Sequence, residues 1–414
     1  ANWQIKLFTE QQHGYSLRGM QPSHDVVKFS QVVERDFFHD TYDYSPNCLL
    51  LRASVAVYSD IKYNKRIIAN VRATTKQAVD GYIDSMLQTR LQQSAEIHPA
   101  YGTLWGDIEH VIHAGGKRMR PYLAMIGYGE YSERMIPVAA AQEMLHVAML
   151  IHDDIIDRDT VRHGVENVAG RYIGRYKKLL SDSDARHYAA GSSILAGDLL
   201  ISEAYHAVHL SDFDDLTKQR VFTRLHQAIF DVIGGELLDV EAAFAGGPSI
   251  DPLVIARYKT ASYSFVGPLL AGAYCRDINF ETIASLTRFG EDVGVAFQLQ
   301  DDLLGMFGDS AETGKSVITD LSEGKATYLI DVYKQTLSDS QRSAFGKVFG
   351  NPEATDEELF SLKAAIGESR APKKVEQAIE QHFQAALTNI EEIESEFQRE
   401  ELRYVVAALR GRKA

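Results

Sequence analysis

The sequence predicts an all-α protein from about residue 76 onward, and three observations carry that expectation. Residues 138–247 contain no proline, the residue that a helix interior tolerates least. Apolar residues recur at helical spacing, as where Ala140, Met144, Ala148 and Ile151 form one stripe in IPVAAAQEMLHVAMLIHDD. Alanine, leucine, glutamate and glutamine, all good helix formers, are frequent, and the same texture continues through KKVEQAIEQHFQAALTNIEEIESEF near the C-terminus.

The first 75 residues read differently. They hold nine Lys and Arg against seven Asp and Glu, a local net of +2, and the remainder carries −16. NWQIKLF and LLLRASVAVYS alternate or are β-branched, as half-buried strands are, and YDYSPN reads as a turn. The expectation is a small β-rich or irregular extension over residues 1–75, structural or regulatory in role, ahead of one helical domain over 76–414. No repeat of about 20 to 50 residues suggests a solenoid.

The bulk numbers exclude several classes. A chain of 414 residues with 45% hydrophobic and 24% charged residues has a soluble globular composition. A net charge of −14 argues against a general nucleic-acid binder. Cys48 and Cys275 lie far apart, which suits a reducing compartment rather than a disulfide framework. No apolar run approaches the ~20 residues of a membrane span. ANWQIKLFTEQQ has no signal-peptide character, so the expected location is cytoplasmic.

Two acidic clusters stand in apolar surroundings. LIHDDIIDRD places Asp153, Asp154 and Asp157 beside Ile151, Ile155 and Ile156, and AFQLQDDLLGMFGD places Asp301 and Asp302 likewise. In a helix, Asp153 and Asp157 share a face, as do Gln298, Asp301 and Asp302. Unpaired carboxylates near a core are costly, so something must neutralise them. Magnesium is a suitable agent, because it takes oxygen and typically uses one or two carboxylates plus phosphate and water.

Basic motifs supply the phosphate side of that argument. GGKRMRP packs Lys117, Arg118 and Arg120 behind a glycine pair, RYKTASYSF carries Lys259 and Thr260, and GKSVITDLSEGKATYL carries Lys315 and Lys325. Glycine lets backbone approach an anion, and Lys and Arg give charge-assisted bonds.

The order GGKRMRP, HDDIID, GGELLDV, KT and FQLQDD resembles the polyprenyl (isoprenyl) diphosphate synthase family. The resemblance covers roughly residues 76–414. It implies the isoprenoid synthase fold, with helices around a deep central cavity, usually as a homodimer. It implies head-to-tail condensation of isopentenyl diphosphate with an allylic diphosphate, as geranylgeranyl diphosphate synthases do. By the same resemblance Asp153, Asp157 and Asp301 bind Mg²⁺, about three ions around a bound diphosphate. Asp154, Lys259, Thr260, Gln298 and Lys315 join the catalytic set. Lys117, Arg120, His146, Arg162, His163, Tyr263 and Lys325 bind substrate.

The chain departs from the family at three places. His163 stands where a second arginine is usual, which predicts weaker or pH-dependent binding of isopentenyl diphosphate. Gly305 stands where many members have a third aspartate, and Glu236 where many have glutamine. Chain length in this family depends on residues four and five before the first aspartate. Here these are Met149 and Ala148, which leave room and predict a product of geranylgeranyl length or longer. A class I terpene cyclase and a regulatory subunit of a heteromeric synthase are the rival readings; GGKRMRP argues against the first and the survival of both acidic motifs against the second.

Overall fold

The computed structural model describes residues 46–244, 249–276, 278–308 and 318–412, and residues 67–414 form one compact unit. Helix α1 spans Pro46–Ile97, α2 Pro99–His113, α3 Met119–Tyr128 and α4 Ile136–Ile156. A short hairpin, β1 (Val161–Arg162) and β2 (Val165–Glu166), leads to α5 (Val168–Tyr176), α6 (Asp182–Leu210) and α7 (Asp215–Ala243). Helix α8 (Pro252–Ile255) passes through a π-helical stretch, Ala256–Val266, into α9 (Gly267–Tyr274). Then come α10 (Phe280–Phe307), α11 (Thr319–Glu323), α12 (Tyr328–Lys334), α13 (Asp339–Val348), α14 (Asp356–Glu368), α15 (Ala371–Asn389) and α16 (Glu396–Arg410).

The all-α expectation holds for the helical domain, and one expectation ahead of it needs correction. LLLRASVAVYS lies inside α1 and is helical, not a strand. Helix nucleation is costly but elongation is not, so a β-prone run abutting the long helix-forming stretch KQAVDGYIDSMLQTRLQQ is drawn into it. Residue 75, the expected boundary, falls within α1. NWQIKLF lies outside the described residues.

Helix α4 is the central element. It packs on α6 and on α3, while α10 packs on the π-helical stretch and on α15. The segment Glu133–Ile156 is long and apolar enough to cross a membrane, but 78% of its apolar window is buried inside the protein. Its hydrophobicity is that of a core helix walled in on most sides. Buried polar contacts tie α16 to α3: the Tyr122 hydroxyl donates to Glu401, and the Gln398 amide donates to the carbonyls of Ile126 and Gly127 at 3.0 Å each. These satisfy the carbonyls orphaned at the end of α3.

Two glycines set how close the walls of the cavity come. A Cβ on Gly235 of α7 would lie 2.1 Å from the backbone nitrogen of Lys259, and one on Gly294 of α10 would lie 2.3 Å from Cα of Ala261. Only glycine lets both helices touch the π-helical stretch. In the hairpin, Val161 pairs with Glu166 and Arg162 with Val165. Its turn residues His163 and Gly164 have φ of 53° and 76°, the successive positive values a type I′ turn demands.

Candidate active site

Two adjoining chambers lie among α3, α4, α7, the π-helical stretch and α10. The first has a volume of about 780 Å³ and is lined by Asp153 and Met149 of α4, Glu236 and Leu237 of α7, Lys259 and Thr260 of the π-helical stretch, and Gln298 and Asp301 of α10. The second, of about 770 Å³, is lined by Lys117, Arg120, Arg162, His163 and Arg412. Both chambers touch Arg120, His146, Arg162, His163, Ser264 and Phe297.

The π-helical stretch explains why so many functional side chains come from one short segment. Its wider turn presents Lys259, Thr260, Tyr263 and Ser264 to the first chamber together. Lys259 Nζ lies 2.6 Å from Asp239, 3.0 Å from Glu236 and 3.7 Å from Asp153. Burial alone would depress the lysine, but Asp239, Asp153 and Glu236 outweigh it and hold the ammonium above its ordinary range. Burial in turn raises Glu236. Thr260 Oγ1 donates to Gln298 Oε1, whose amide donates to Asp302 at 2.8 Å. Burial raises Asp302 to about 7, although the bond from Gln298 opposes the shift.

The aspartates of the first motif divide their work. Arg162 bonds Asp154 at 2.6 Å through Nε and Asp153 at 2.9 Å through Nη2. Asp153 faces the first chamber. Asp154 is fully buried and does not line it; burial raises its carboxyl to about 6. Its place is to hold Arg162, not to face the cavity. Asp157, at the end of α4, lies 3.5 Å from Lys325, which also lies 3.5 Å from Asp320. On the opposite wall Asp301 accepts a 2.6 Å bond from Arg412, and burial raises its carboxyl despite Arg412, Arg120 and Lys117.

The second chamber is a nest of cations with spare donors. Arg120 reaches Ser264 at 2.6 Å and stacks over Tyr263 at 4.9 Å, yet its Nε is buried without a partner. His146 Nδ1 and Arg412 Nη1 are likewise buried and unbonded. Burial, helped by Arg120 and Arg162, keeps His146 neutral well below the usual histidine value. Burial and Arg162 lower His163 as well. Arg118 also lines the second chamber, but it is held by Asp80 at 2.7 Å and Glu143 at 2.9 Å, and so anchors the glycine-rich turn.

Buried donors lacking acceptors fit a bound anion, since each such group otherwise carries a desolvation cost. The acidic walls fit magnesium. Among the described residues no three His, Cys, Asp or Glu converge to hold an ion by themselves. Single carboxylates facing each other, with phosphate oxygens completing the shell, match the habit of Mg²⁺.

The structure thus brings Asp153, Asp301, Lys259, Thr260, Gln298 and Tyr263 to one chamber and Lys117, Arg120, His146, Arg162 and His163 to the other or the shared wall. Lys315 lies outside the described residues. One expectation is overturned: Ala148 is fully buried in the core that α4 shares with α6 and does not line the cavity, whereas Met149 does. Adjacent helix residues point about 100° apart, and of this pair only Met149 falls on the cavity side of α4. Sequence reasoning passed over Asp239, Ser264, Asp320 and Arg412. Asp239 was the most accessible of these, three residues after Glu236 and hence on its face.

Comparisons with known proteins give the family. Residues 103–366 match the polyprenyl synthetase family. A short chain isoprenyl diphosphate synthase of Methanocaldococcus jannaschii is 32% identical over 284 residues, which cover 67% of this chain and 78% of the relative. A geranylgeranyl diphosphate synthase of Sulfolobus acidocaldarius is 32% identical over 61% of this chain and 73% of its own length. The crystal structure of a Corynebacterium glutamicum geranylgeranyl pyrophosphate synthase, complexed with isoprenyl diphosphate and magnesium, superposes with a TM-score of 0.74. That likeness has 28% identity and covers 83% of this chain and 99% of that one. The chain belongs to the polyprenyl synthetase family and has the isoprenoid synthase fold. It is a prenyltransferase, a polyprenyl diphosphate synthase in class.

Proposed function

We propose that this protein condenses isopentenyl diphosphate with an allylic diphosphate, head to tail and with Mg²⁺, to release geranylgeranyl diphosphate or a longer product. The observation that carries the proposal is the pair of adjoining chambers, one acidic with a clamped lysine and one basic with spare donors. The allylic diphosphate belongs in the first and isopentenyl diphosphate in the second.

Mg²⁺ held by Asp153, Asp157 and Asp301, about three ions in all, would neutralise the leaving diphosphate. Lys259 and Lys325 add charge to the same oxygens, and Thr260 and Gln298 orient them. Met149, Ile233 and Leu237 line the cavity and keep the allylic tail away from water as positive charge develops. Lys117, Arg120 and His146 hold the second diphosphate without metal, and His163 takes the place of the usual arginine. The double bond of isopentenyl diphosphate then attacks the allylic carbon. One proton leaves the adduct, and the departing diphosphate is its acceptor.

A homodimer belongs to the same proposal. Ile194 and Leu195 of α6 and Phe230 of α7 are exposed apolar side chains that a second copy would cover, and light scattering of the purified chain tests it. The protein works in the cytoplasm, to which its two distant cysteines are suited.

The test is an incubation of the purified chain with Mg²⁺, labelled isopentenyl diphosphate and each allylic diphosphate in turn. Elongated diphosphate is the expected result. Cyclised hydrocarbon, or silence until a partner chain is added, overturns it.

A further inference from the structure

Arg412 belongs to both chambers at once. It stands just beyond α16 and donates from Nη2 to Oδ1 of Asp301 at 2.6 Å, so it holds the aspartate of α10 that lines the first chamber. The same side chain lines the second chamber with Lys117 and Arg120. Its guanidinium lies 4.5 Å over the ring of Phe297, which walls both chambers.

The pairing with Asp301 leaves Arg412 half used. An arginine and a carboxylate commonly join through two parallel bonds, and this pair has one. The other terminal nitrogen, Nη1, is buried with no acceptor, a state that carries a desolvation cost. Charge also crosses in the opposite direction: Arg120 and Lys117 of the second chamber both favour the ionised form of Asp301. Arg412 therefore stands between an anion it now holds and a group of cations that share a spare buried donor at Arg120 Nε.

Asp301 can give its charge to Arg412 or to a metal ion, but not fully to both. Among the described residues no three acidic or metal-binding side chains converge, so an ion on Asp301 needs phosphate oxygens to complete its shell. Metal and allylic diphosphate must then arrive together to displace Arg412.

We propose that Arg412 couples the two chambers: it covers Asp301 in the empty site and, once the metal-bound allylic diphosphate takes that carboxylate, turns its freed guanidinium on the diphosphate in the second chamber. The proposal rests on the synthase reading above. Filling the first chamber then tightens the second, and by linkage the reverse holds equally.

The test measures binding rather than turnover. Isopentenyl diphosphate is titrated calorimetrically into the purified chain in EDTA, in Mg²⁺ alone, and in Mg²⁺ with an unreactive thiolo analogue of geranyl diphosphate. The wild type should bind isopentenyl diphosphate about tenfold more tightly in the third condition than in the first two. Arg412→Gln should bind it with one affinity in all three. The same variant should bind the analogue with Mg²⁺ at least as tightly as the wild type, because Asp301 has lost a competitor. Lys117→Ala should weaken isopentenyl diphosphate in every condition and keep the gain. Far-UV circular dichroism checks each fold. If Arg412→Gln does not fold, Arg412→Lys carries the test: a compact ammonium lacks the planar fork, so its gain should fall below that of the wild type.

A gain that survives these substitutions undiminished, or no gain in the wild type, overturns the proposal. So does an equal loss of isopentenyl diphosphate affinity in all three conditions with the gain kept, which would make Arg412 an ordinary ligand of the second chamber. If the wild type binds neither isopentenyl diphosphate nor the analogue with Mg²⁺, the synthase reading fails and this proposal falls with it. If it binds both and the gain is indifferent to Arg412, only this proposal falls.

Discussion

The two chambers share a wall and treat charge in opposite ways. In the first, carboxylates crowd the lysine: Lys259 faces Asp153, Glu236 and Asp239 at once, and burial raises Glu236, Asp301 and Asp302. In the second, arginines keep donors in reserve, with Arg120 Nε and Arg412 Nη1 buried and unbonded beside the neutral His146. The difference teaches how one protein can sort two substrates that carry the same diphosphate group. A site crowded with carboxylates repels a bare diphosphate and accepts one that arrives with metal. A site of spare donors accepts the bare diphosphate directly.

The largest effect should come from removing the acidic side of that contrast. Asp153→Ala loses the carboxylate that faces the chamber and also removes one of the two carboxylates that bond Arg162, at 2.9 Å. Lost electrostatic stabilisation of this kind typically costs ~3 kcal/mol or more in the barrier, or at least about a hundredfold in kcat. Steady-state kinetics at saturating Mg²⁺ checks it, and near-normal turnover in a folded variant would dissolve the distinction between the chambers.

The apolar end of the first chamber gives a sharper, qualitative test. Met149→Phe puts a ring in the cavity, so the product should shorten toward farnesyl length. Ala148→Phe puts the same ring into the α4–α6 core, where overpacking costs about 1–3 kcal/mol, with the product unchanged. Chromatography of the dephosphorylated products and thermal melts of both variants separate the two positions. A shortened product from Ala148→Phe would mean that α4 presents a different face to the cavity.

A smaller effect belongs to the basic chamber. His163 is held below the ordinary histidine value of 6.5, first by burial and then by Arg162. It gains charge only as pH falls below that value, so grip on isopentenyl diphosphate weakens as pH rises through the range below 6.5 and stays weak above it. His163→Arg should lower the KM for isopentenyl diphosphate about tenfold at pH 8, as one added charge-assisted hydrogen bond would, and flatten its pH dependence. An unchanged KM at both pH 6 and pH 8 would remove His163 from the diphosphate site.

How much of this was legible in the sequence depends on the kind of information involved. Helical periodicity and proline spacing carried the all-α class. The pairing of acidic with basic motifs pointed to candidate residues, and Asp153, Asp301, Lys259 and Arg120 line one chamber. Direction around a helix axis was not legible. Asp153 and Asp154 are neighbours, yet one faces the cavity and the other is buried against Arg162, and Met149 and Ala148 part in the same way. Periodicity says which residues share a face but not which face meets the cavity. Contacts between distant segments were also out of reach: nothing in ITDLSEGK says that Asp320 stands over Gly305, and nothing near the C-terminus says that Arg412 bonds Asp301. LLLRASVAVYS was misread because local β preference yields to the helix that continues from it.

The sorting of the two diphosphates can be measured directly. Calorimetric titration of the purified chain in excess EDTA should show isopentenyl diphosphate binding and no binding of a thiolo analogue of geranyl diphosphate. Replacing the EDTA with Mg²⁺ should bring in the analogue and leave isopentenyl diphosphate little changed, and Arg120→Ala should weaken isopentenyl diphosphate in both conditions. Tight binding of the analogue without metal, or a metal requirement for isopentenyl diphosphate as strict as for the analogue, would contradict the assignment of the two chambers.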